Sequence, residues 1–233
     1  MTNSRRRALL LVNRNARAAG TVLDDTIALL DEGGIDVREE ACPAPDQLAQ
    51  VIRQQSGALD CVIIGGGDGT LNAAAPALVE AGLPLGILPL GTANDLARTL
   101  EIPPDPIAAA RIIAAGRIRT LDLGEVNGRL FWNVASIGLS AELAREITSE
   151  TKQRWGRLGY GIAALRLLAR MRPFTAVISH DGVTERVRTV QIAVGNGRHY
   201  GGGMVVEGSA RPDDGVLHLY SLEVDHWWKL LAL

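Results

Sequence analysis

The sequence predicts an α/β fold: an N-terminal doubly wound α/β domain over residues 1–116 and a β-rich, antiparallel, sandwich-like domain over residues 117–233. Three observations lead there. Short apolar runs alternate with helical stretches as far as residue 115, the pattern of parallel strands joined by crossover helices. After Pro103 and Pro104 the pattern changes, and most of the remaining chain reads as strand. In that second half, Asn127-Gly128 and Asp181-Gly182 separate consecutive strands, the dipeptides that suit tight two-residue hairpin turns.

Taken in order, residues 8–12 read as the first strand. Arg5 to Arg7 with this apolar run mimic a secretion signal, but the run stops after five residues at Asn13 and Arg14. Residues 22–30 read as helix, 36–39 as strand, 45–55 as helix, 61–64 as strand, 71–80 as helix and 85–88 as strand. The two loops richest in special residues come after the third and fourth strands, so both should face the crevice beyond the strands' carboxyl ends, where open α/β sheets hold ligands. A helical stretch at 106–115 leads into the second half, where 118–126, 130–137, 174–180, 186–195 and 215–222 read as strands. A helical insert at about 157–171 interrupts them.

Composition narrows the function classes. The 24 basic and 26 acidic residues leave a formal charge of −2, without the basic excess of a general nucleic-acid binder. Cys42 and Cys61 supply neither a disulfide framework nor a C-x-x-C metal site, so a cytoplasmic protein is expected. Gly and Pro interrupt even the stretch 81–94, so no apolar run reaches the ~20 residues of a membrane-spanning helix.

The most informative segment runs from the strand at Cys61 through Gly65-Gly66-Gly67-Asp68-Gly69-Thr70-Leu71 into a helix. Glycines let a backbone turn sharply and approach a ligand, and a helix N-terminus favours anions. The segment is neither a G-x-x-x-x-G-K-[ST] loop nor G-x-G-x-x-G. Asp68 is out of place among phosphate binders unless a divalent cation bridges it to the ligand or it handles a proton; a tight turn with Asp68 as a local cap is the plainer reading. The second loop, Leu88-Pro89-Leu90-Gly91-Thr92-Ala93-Asn94-Asp95-Leu96-Ala97-Arg98, concentrates hydrogen-bonding groups at the same end of the sheet, though Thr92 or Asn94 also reads as an ordinary helix cap.

These two motifs together resemble the diacylglycerol-kinase catalytic domain, especially the bacterial lipid kinases of that family, over about residues 7–222. NAD kinases share only the first loop. The resemblance implies an N-terminal nucleotide-binding domain, ATP-dependent phosphorylation of a lipid hydroxyl such as that of diacylglycerol, and a catalytic Mg²⁺. It implies ATP contacts from Asn13, Gly65, Gly66, Gly67, Asp68, Gly69, Thr70, Leu71 and Thr92, and catalytic roles for Asp68, Asp95 and Asp122 as an acidic network around that metal. Arg211-Pro212-Asp213-Asp214-Gly215-Val216 resembles a loop that binds a second, structural Mg²⁺ through Asp214 and the carbonyls of Arg211 and Val216; taken alone it reads equally as an Asp-Gly turn. Asp68→Ala is expected to abolish turnover and leave the fold intact.

Two departures from the family pattern stand out. Asn13-Arg14 replaces a usual Asn-Pro, and Glu40-Ala41-Cys42 stands where a Thr is common. Family members also usually continue past the equivalent of Leu233 into strands bearing an Asp-Gly-Glu motif whose Glu is the base, and this chain has no such motif. Truncation, another base or an inactive protein are the alternatives; the ending from Asp225 reads as a helix cut short, which favours truncation. Residues 152–172 carry six basic and no acidic side chains with Trp155 and Tyr160 among aliphatics, a segment suited to an anionic membrane surface or to a solvated helix. The expected partners are therefore a lipid substrate and, peripherally, an anionic membrane surface, without nucleic acid; a homodimer is compatible. A NAD-kinase-like enzyme and a non-catalytic nucleotide-binding module are the rival readings.

Overall fold

The computed structural model describes residues 5–12, 20–139, 141–142, 172–201, 204–205 and 207–223. Asn13, the helical insert and the basic segment at 152–171, and the ending from Asp225 lie outside them. The first half alternates as expected: β1 (Arg6–Val12), α1 (Gly20–Glu32), β2 (Ile35–Ala41), α2 (Pro45–Gln55), β3 (Cys61–Gly66), α3 (Asp68–Ala81), β4 (Leu85–Pro89), α4 (Asp95–Thr99) and α5 (Pro106–Ala115). Its four strands form one parallel sheet in the order β2-β1-β3-β4. The order reverses at β1, so β1 and β3 flank the switch point at which such sheets open a crevice.

Period-two alternation explains the two layers of helices. Leu9 and Leu11 of β1, Val62 and Ile64 of β3 and Ile87 of β4 pack with Leu48 and Ile52 of α2 and Leu71, Ala74 and Leu78 of α3. The intervening Ala8, Leu10, Val12, Ile63 and Leu88 pack with Leu23 and Leu30 of α1 and Ala109 and Ala110 of α5. Every one of these side chains is buried, as a sheet covered on both faces requires.

The second half is antiparallel. It comprises β5 (Gly124–Val126), β6 (Arg129–Phe131), β7 (Val134–Gly138), β8 (Phe174–His180), β9 (Val183–Thr189), β10 (Gln191–Gly195), β11 (His199–Tyr200), β12 (Met204–Val205) and β13 (His218–Leu222). Both expected hairpins form: Asn127 and Gly128 have φ of 50° and 74°, and Asp181 and Gly182 have 48° and 78°, the positive pair a tight turn demands. β7, β10 and β13 make a separate sheet in the order β13-β10-β7.

Four expected strands are corrected. Residues 118–123 are not strand: Asp122 N–H donates to the Pro212 carbonyl at 2.8 Å and Arg119 pairs with Asp213, so loop contacts replace a ladder. The stretch 130–137 breaks at Trp132, whose N–H donates to Asn72 Oδ1 and whose indole donates to the Leu71 carbonyl, both at 3.0 Å. The stretch 186–195 breaks at Val190, where Thr189 Oγ1 accepts the Gln191 N–H at 3.1 Å and lets β9 and β10 enter different sheets. The last strand starts at His218 rather than 215, because Gly215 and Val216 give their N–H groups to Asp122 and Asp214.

The chain forms two compact units. One comprises Met1–Asn133 with Asn196–Val216, and the other Val134–Gly195 with Leu217–Leu233. Among the described residues no helix is long and apolar enough to cross a membrane.

Candidate active site

β3 ends at Gly66, Gly67 caps α3 without a side chain, and Asp68 is the first residue of the helix. The glycines do not serve a sharp turn, since none of Gly65, Gly66, Gly67, Gly69 and Gly91 has positive φ. They serve close approach. A Cβ on Gly65 would stand 2.6 Å from Val12 Cγ2, and one on Gly91 would stand 2.4 Å from Gly67 Cα, so the two loops touch backbone to backbone. Gly69 differs: nothing lies within 4 Å of a Cβ built there.

Asp68 is a cap, but not of its own helix. Its Oδ2 accepts the Asp95 N–H at 3.1 Å, and its Oδ1 accepts the Leu96 N–H at 2.9 Å and the Asn133 amide at 3.0 Å. The carboxylate of the first loop thus fastens the start of α4 in the second. Asn94, held at φ 53°, stitches the loop before it: Oδ1 accepts the Gly91 N–H at 2.9 Å, and Nδ2 donates to the Pro89 and Gly91 carbonyls. Asp95 is buried beside Asp68, and Thr92 is exposed at the loop's tip. The two loops therefore meet, and residues 68 and 95 lie together.

Asp122 is tied elsewhere. Its Oδ2 accepts the Gly215 N–H at 2.6 Å. The neighbouring Asp214 accepts the Arg211 N–H through Oδ2 at 3.2 Å and the Val216 N–H through Oδ1 at 3.0 Å, closing the 211–216 loop across its own ends. Asp213 bridges Arg119 and Arg211, and those hydrogen bonds hold its carboxyl below the ordinary range. Among the described residues no three His, Cys, Asp or Glu side chains cluster as a metal site; Asp68 is joined to the Asp95 backbone, and Asp122 to the Gly215 backbone.

A cavity of about 290 Å³ opens at the carboxyl ends of β2 and β3, lined by Cys42, Pro43, Pro45, Gly65, Gly66, Gly67, Thr70 and Leu90. Four of the residues expected to contact nucleotide are in that wall. Pro43 is an addition that motif reading missed, beside Cys42, which stands where a Thr is common in the family. Their signal was positional: they are the first residues past β2, at the same end of the sheet as the glycines. Burial raises the Cys42 thiol above its ordinary pKa, so it lines the cavity as a neutral group.

A glycine loop and a second loop fastened to it, both at the switch point of a doubly wound sheet, define an α/β ligand-binding domain built to present bare backbone to its ligand. Residues 7–126 match the diacylglycerol kinase catalytic domain, and residues 133–233 match the YegS C-terminal NAD kinase beta sandwich-like domain. A diacylglycerol kinase of Mycobacterium tuberculosis (strain ATCC 25618 / H37Rv) is 36% identical over 227 residues, 93% of this chain and 72% of that protein. A "Probable lipid kinase YegS-like" protein of Klebsiella pneumoniae (strain 342) is 34% identical over 216 residues, 91% of this chain and 73% of its own. Among solved structures, a diacylglycerol kinase from Bacillus anthracis str. Sterne superposes with a TM-score of 0.76 at 26% identity, covering 97% of this chain and 76% of that one. The chain belongs to the diacylglycerol-kinase catalytic-domain family of lipid kinases.

Proposed function

We propose that this protein transfers the γ-phosphoryl group of ATP to the hydroxyl of a lipid such as diacylglycerol. The observation that carries the reading is the junction of the two loops through Asp68 beside a cavity walled by Gly65, Gly66 and Gly67. Bare backbone at the head of α3, a helix of 14 residues, is where the peptide dipoles favour phosphate oxygens. An ionised carboxylate offers about four lone-pair positions, of which Asp68 uses three: two on Oδ1 and one on Oδ2. The position on Oδ2 that no donor among the described residues fills is the one that can face a magnesium ion or accept a hydroxyl or water proton.

Magnesium fits the chemistry of these residues. It takes hard oxygen donors, and in phosphoryl-transfer sites one or two carboxylates suffice because substrate phosphates and water complete the shell. Asp68 and Asp95 would hold it, and Asp214 with the Arg211 and Val216 carbonyls offers the second all-oxygen set. Bound there, magnesium supplies charge neutralisation during transfer. A lipid acceptor further requires peripheral visits to an anionic membrane surface, for which the basic segment at 152–172 is the candidate.

Radiolabelled γ-phosphate offered with lipid extract in one arm and NAD in another tests the reading. Label in lipid alone supports it; label in NAD alone supports the soluble-nucleotide alternative, to which the matched NAD-kinase-like sandwich domain lends weight. ATP binding without transfer supports a non-catalytic module. Asp68→Ala should lower turnover by about 10³-fold. The expectation that this variant leaves the fold untouched is corrected by the geometry: three donors lose their acceptor, each costing about 1–3 kcal/mol when left unpaired. Turnover is therefore compared per folded molecule, with Asp68→Asn, which keeps shape and one acceptor oxygen, alongside.

A further inference from the structure

Two buried asparagines touch the phosphoryl-transfer machinery without belonging to either loop. Asn133 lies just past β6 and is 7% exposed, and Asn196 lies just past β10 and is 1% exposed. The Asn133 side-chain amide donates to Asp68 Oδ1 at 3.0 Å, and its backbone carbonyl accepts the Asn196 N–H at 2.6 Å. Asn196 in turn donates through Nδ2 to the Trp132 carbonyl at 2.9 Å and the Asp122 carbonyl at 2.7 Å. Both amide orientations are dictated, because exchanging O for N would set acceptor against acceptor. Trp132, next to Asn133, is pinned to Leu71 and Asn72 of α3, so Asn133 is braced against the helix that Asp68 begins.

An asparagine at this position carries a visible cost. Its Oδ1 is buried and has no hydrogen-bond partner among the described residues. A buried oxygen left so is unfavourable, and the offset is the charge-assisted bond from its nitrogen to Asp68. Without Asn133, the Asp95 and Leu96 N–H groups would take one oxygen of Asp68 each, leaving the two oxygens equivalent. With it, Oδ1 is filled, and among the described residues only Oδ2 retains an open position.

We propose that Asn133, held by Asn196, is the positioning residue of Asp68, selecting Oδ2 as the oxygen that meets the reacting groups. The proposal rests on the kinase reading of Asp68. The test uses the full chain, Asn133→Leu, which keeps the branched shape at a larger volume and removes the donor, and Asn133→Asp, which is nearly isosteric and puts an acceptor in its place. In Asn133→Leu the Asp95 and Leu96 amides should exchange hydrogen about 10-fold faster or more, with β1 and β3 amides unchanged, because local opening then lacks its brace. Lipid phosphorylation should lose about 10- to 100-fold in kcat, with KM for ATP within about two-fold, and Asn133→Asp should be the worse of the two. Unchanged exchange at those two amides, or equal losses in kcat and stability with no selective exchange, overturns the proposal. If neither variant folds, rapid exchange of Asp95 and Leu96 in the parent chain overturns it and slow exchange supports it. A parent chain that phosphorylates no lipid overturns the kinase reading instead, while a working parent with unaffected variants overturns only the role of Asn133.

Discussion

Gly69 separates the ligand from the fold. It is the second residue of α3, is exposed, and has ordinary negative φ, so alanine fits its backbone. A Cβ there meets nothing within 4 Å. Glycine to alanine within a helix gains about 0.5–1 kcal/mol, and in a chain of this length each kcal/mol moves Tm by about 2–4 °C. Gly69→Ala should therefore raise Tm by about 1–4 °C. If the open space over Gly69 is where phosphate oxygens approach the backbone, the same methyl should weaken Mg·ATP binding by about 10-fold or more, near 1.4 kcal/mol. Gly91→Ala is the opposite control. Its Cβ would lie 2.4 Å from Gly67 Cα and 2.6 Å from Asn94 Oδ1, with backbone on one side and a fully engaged amide on the other, so neither neighbour yields easily. Overpacking of this kind costs about 1–3 kcal/mol and should lower Tm by several degrees. Thermal unfolding by circular dichroism and calorimetric titration with Mg·ATP read both effects. A Gly69→Ala protein that is more stable and binds ATP as the parent does would refute the reasoning, since the glycine would then serve neither ligand nor fold.

Two other outcomes are expected. Cys42 lines the cavity while Cys61 opens β3 at the far end of that strand, so saturating Mg·ATP should slow iodoacetamide labelling of Cys42 by about 10-fold and leave Cys61 unchanged; equal protection of both thiols, read by peptide mass spectrometry, would count against the site. Asp213 and Asp60 have carboxyls lowered chiefly by arginine hydrogen bonds, so their stabilising contribution is present above the ordinary carboxyl pKa and lost as pH falls through the lowered values. Asp213→Asn should accordingly lose less stability than the parent between about pH 5 and pH 2, measured by denaturant unfolding.

What was legible in the sequence was local. α2 and α5 begin and end where the pattern places them, at Pro45–Gln55 and Pro106–Ala115, and the unbroken aliphatic run of residues 8–12 forms the strand read from it. Asn127-Gly128 and Asp181-Gly182 announced their hairpins because two consecutive positive φ values demand such residues. The failures share a cause. Asp68 meets Asp95 and Asn133 across 27 and 65 residues of chain, and Asn196 meets Asp122 across 74, separations that leave no periodic trace. Residues 118–123 look like a strand because Ile118, Leu121 and Leu123 are interspersed with Arg119, Thr120 and Asp122, yet their partners are loop groups at 212 and 213. The glycine cluster was visible, but its reason was not: close approach of two backbones cannot be told from a sharp turn until the second backbone is in view.

That second backbone also resolves the awkwardness of a carboxylate in a loop read as an anion cradle. A free Asp68 would repel phosphate, yet three N–H donors, two from α4 and one from Asn133, take up most of its acceptor capacity. Much of its charge is met by the second loop and Asn133, with one position on Oδ2 unfilled among the described residues. The glycine motif and the Leu88–Arg98 motif therefore occur together for a mechanical reason. The first supplies the carboxylate that caps the start of α4, and the second supplies the bare Gly91 that lets Gly67 come close enough for that cap to form. Neither loop has its geometry without the other, so the two motifs act as one structural unit.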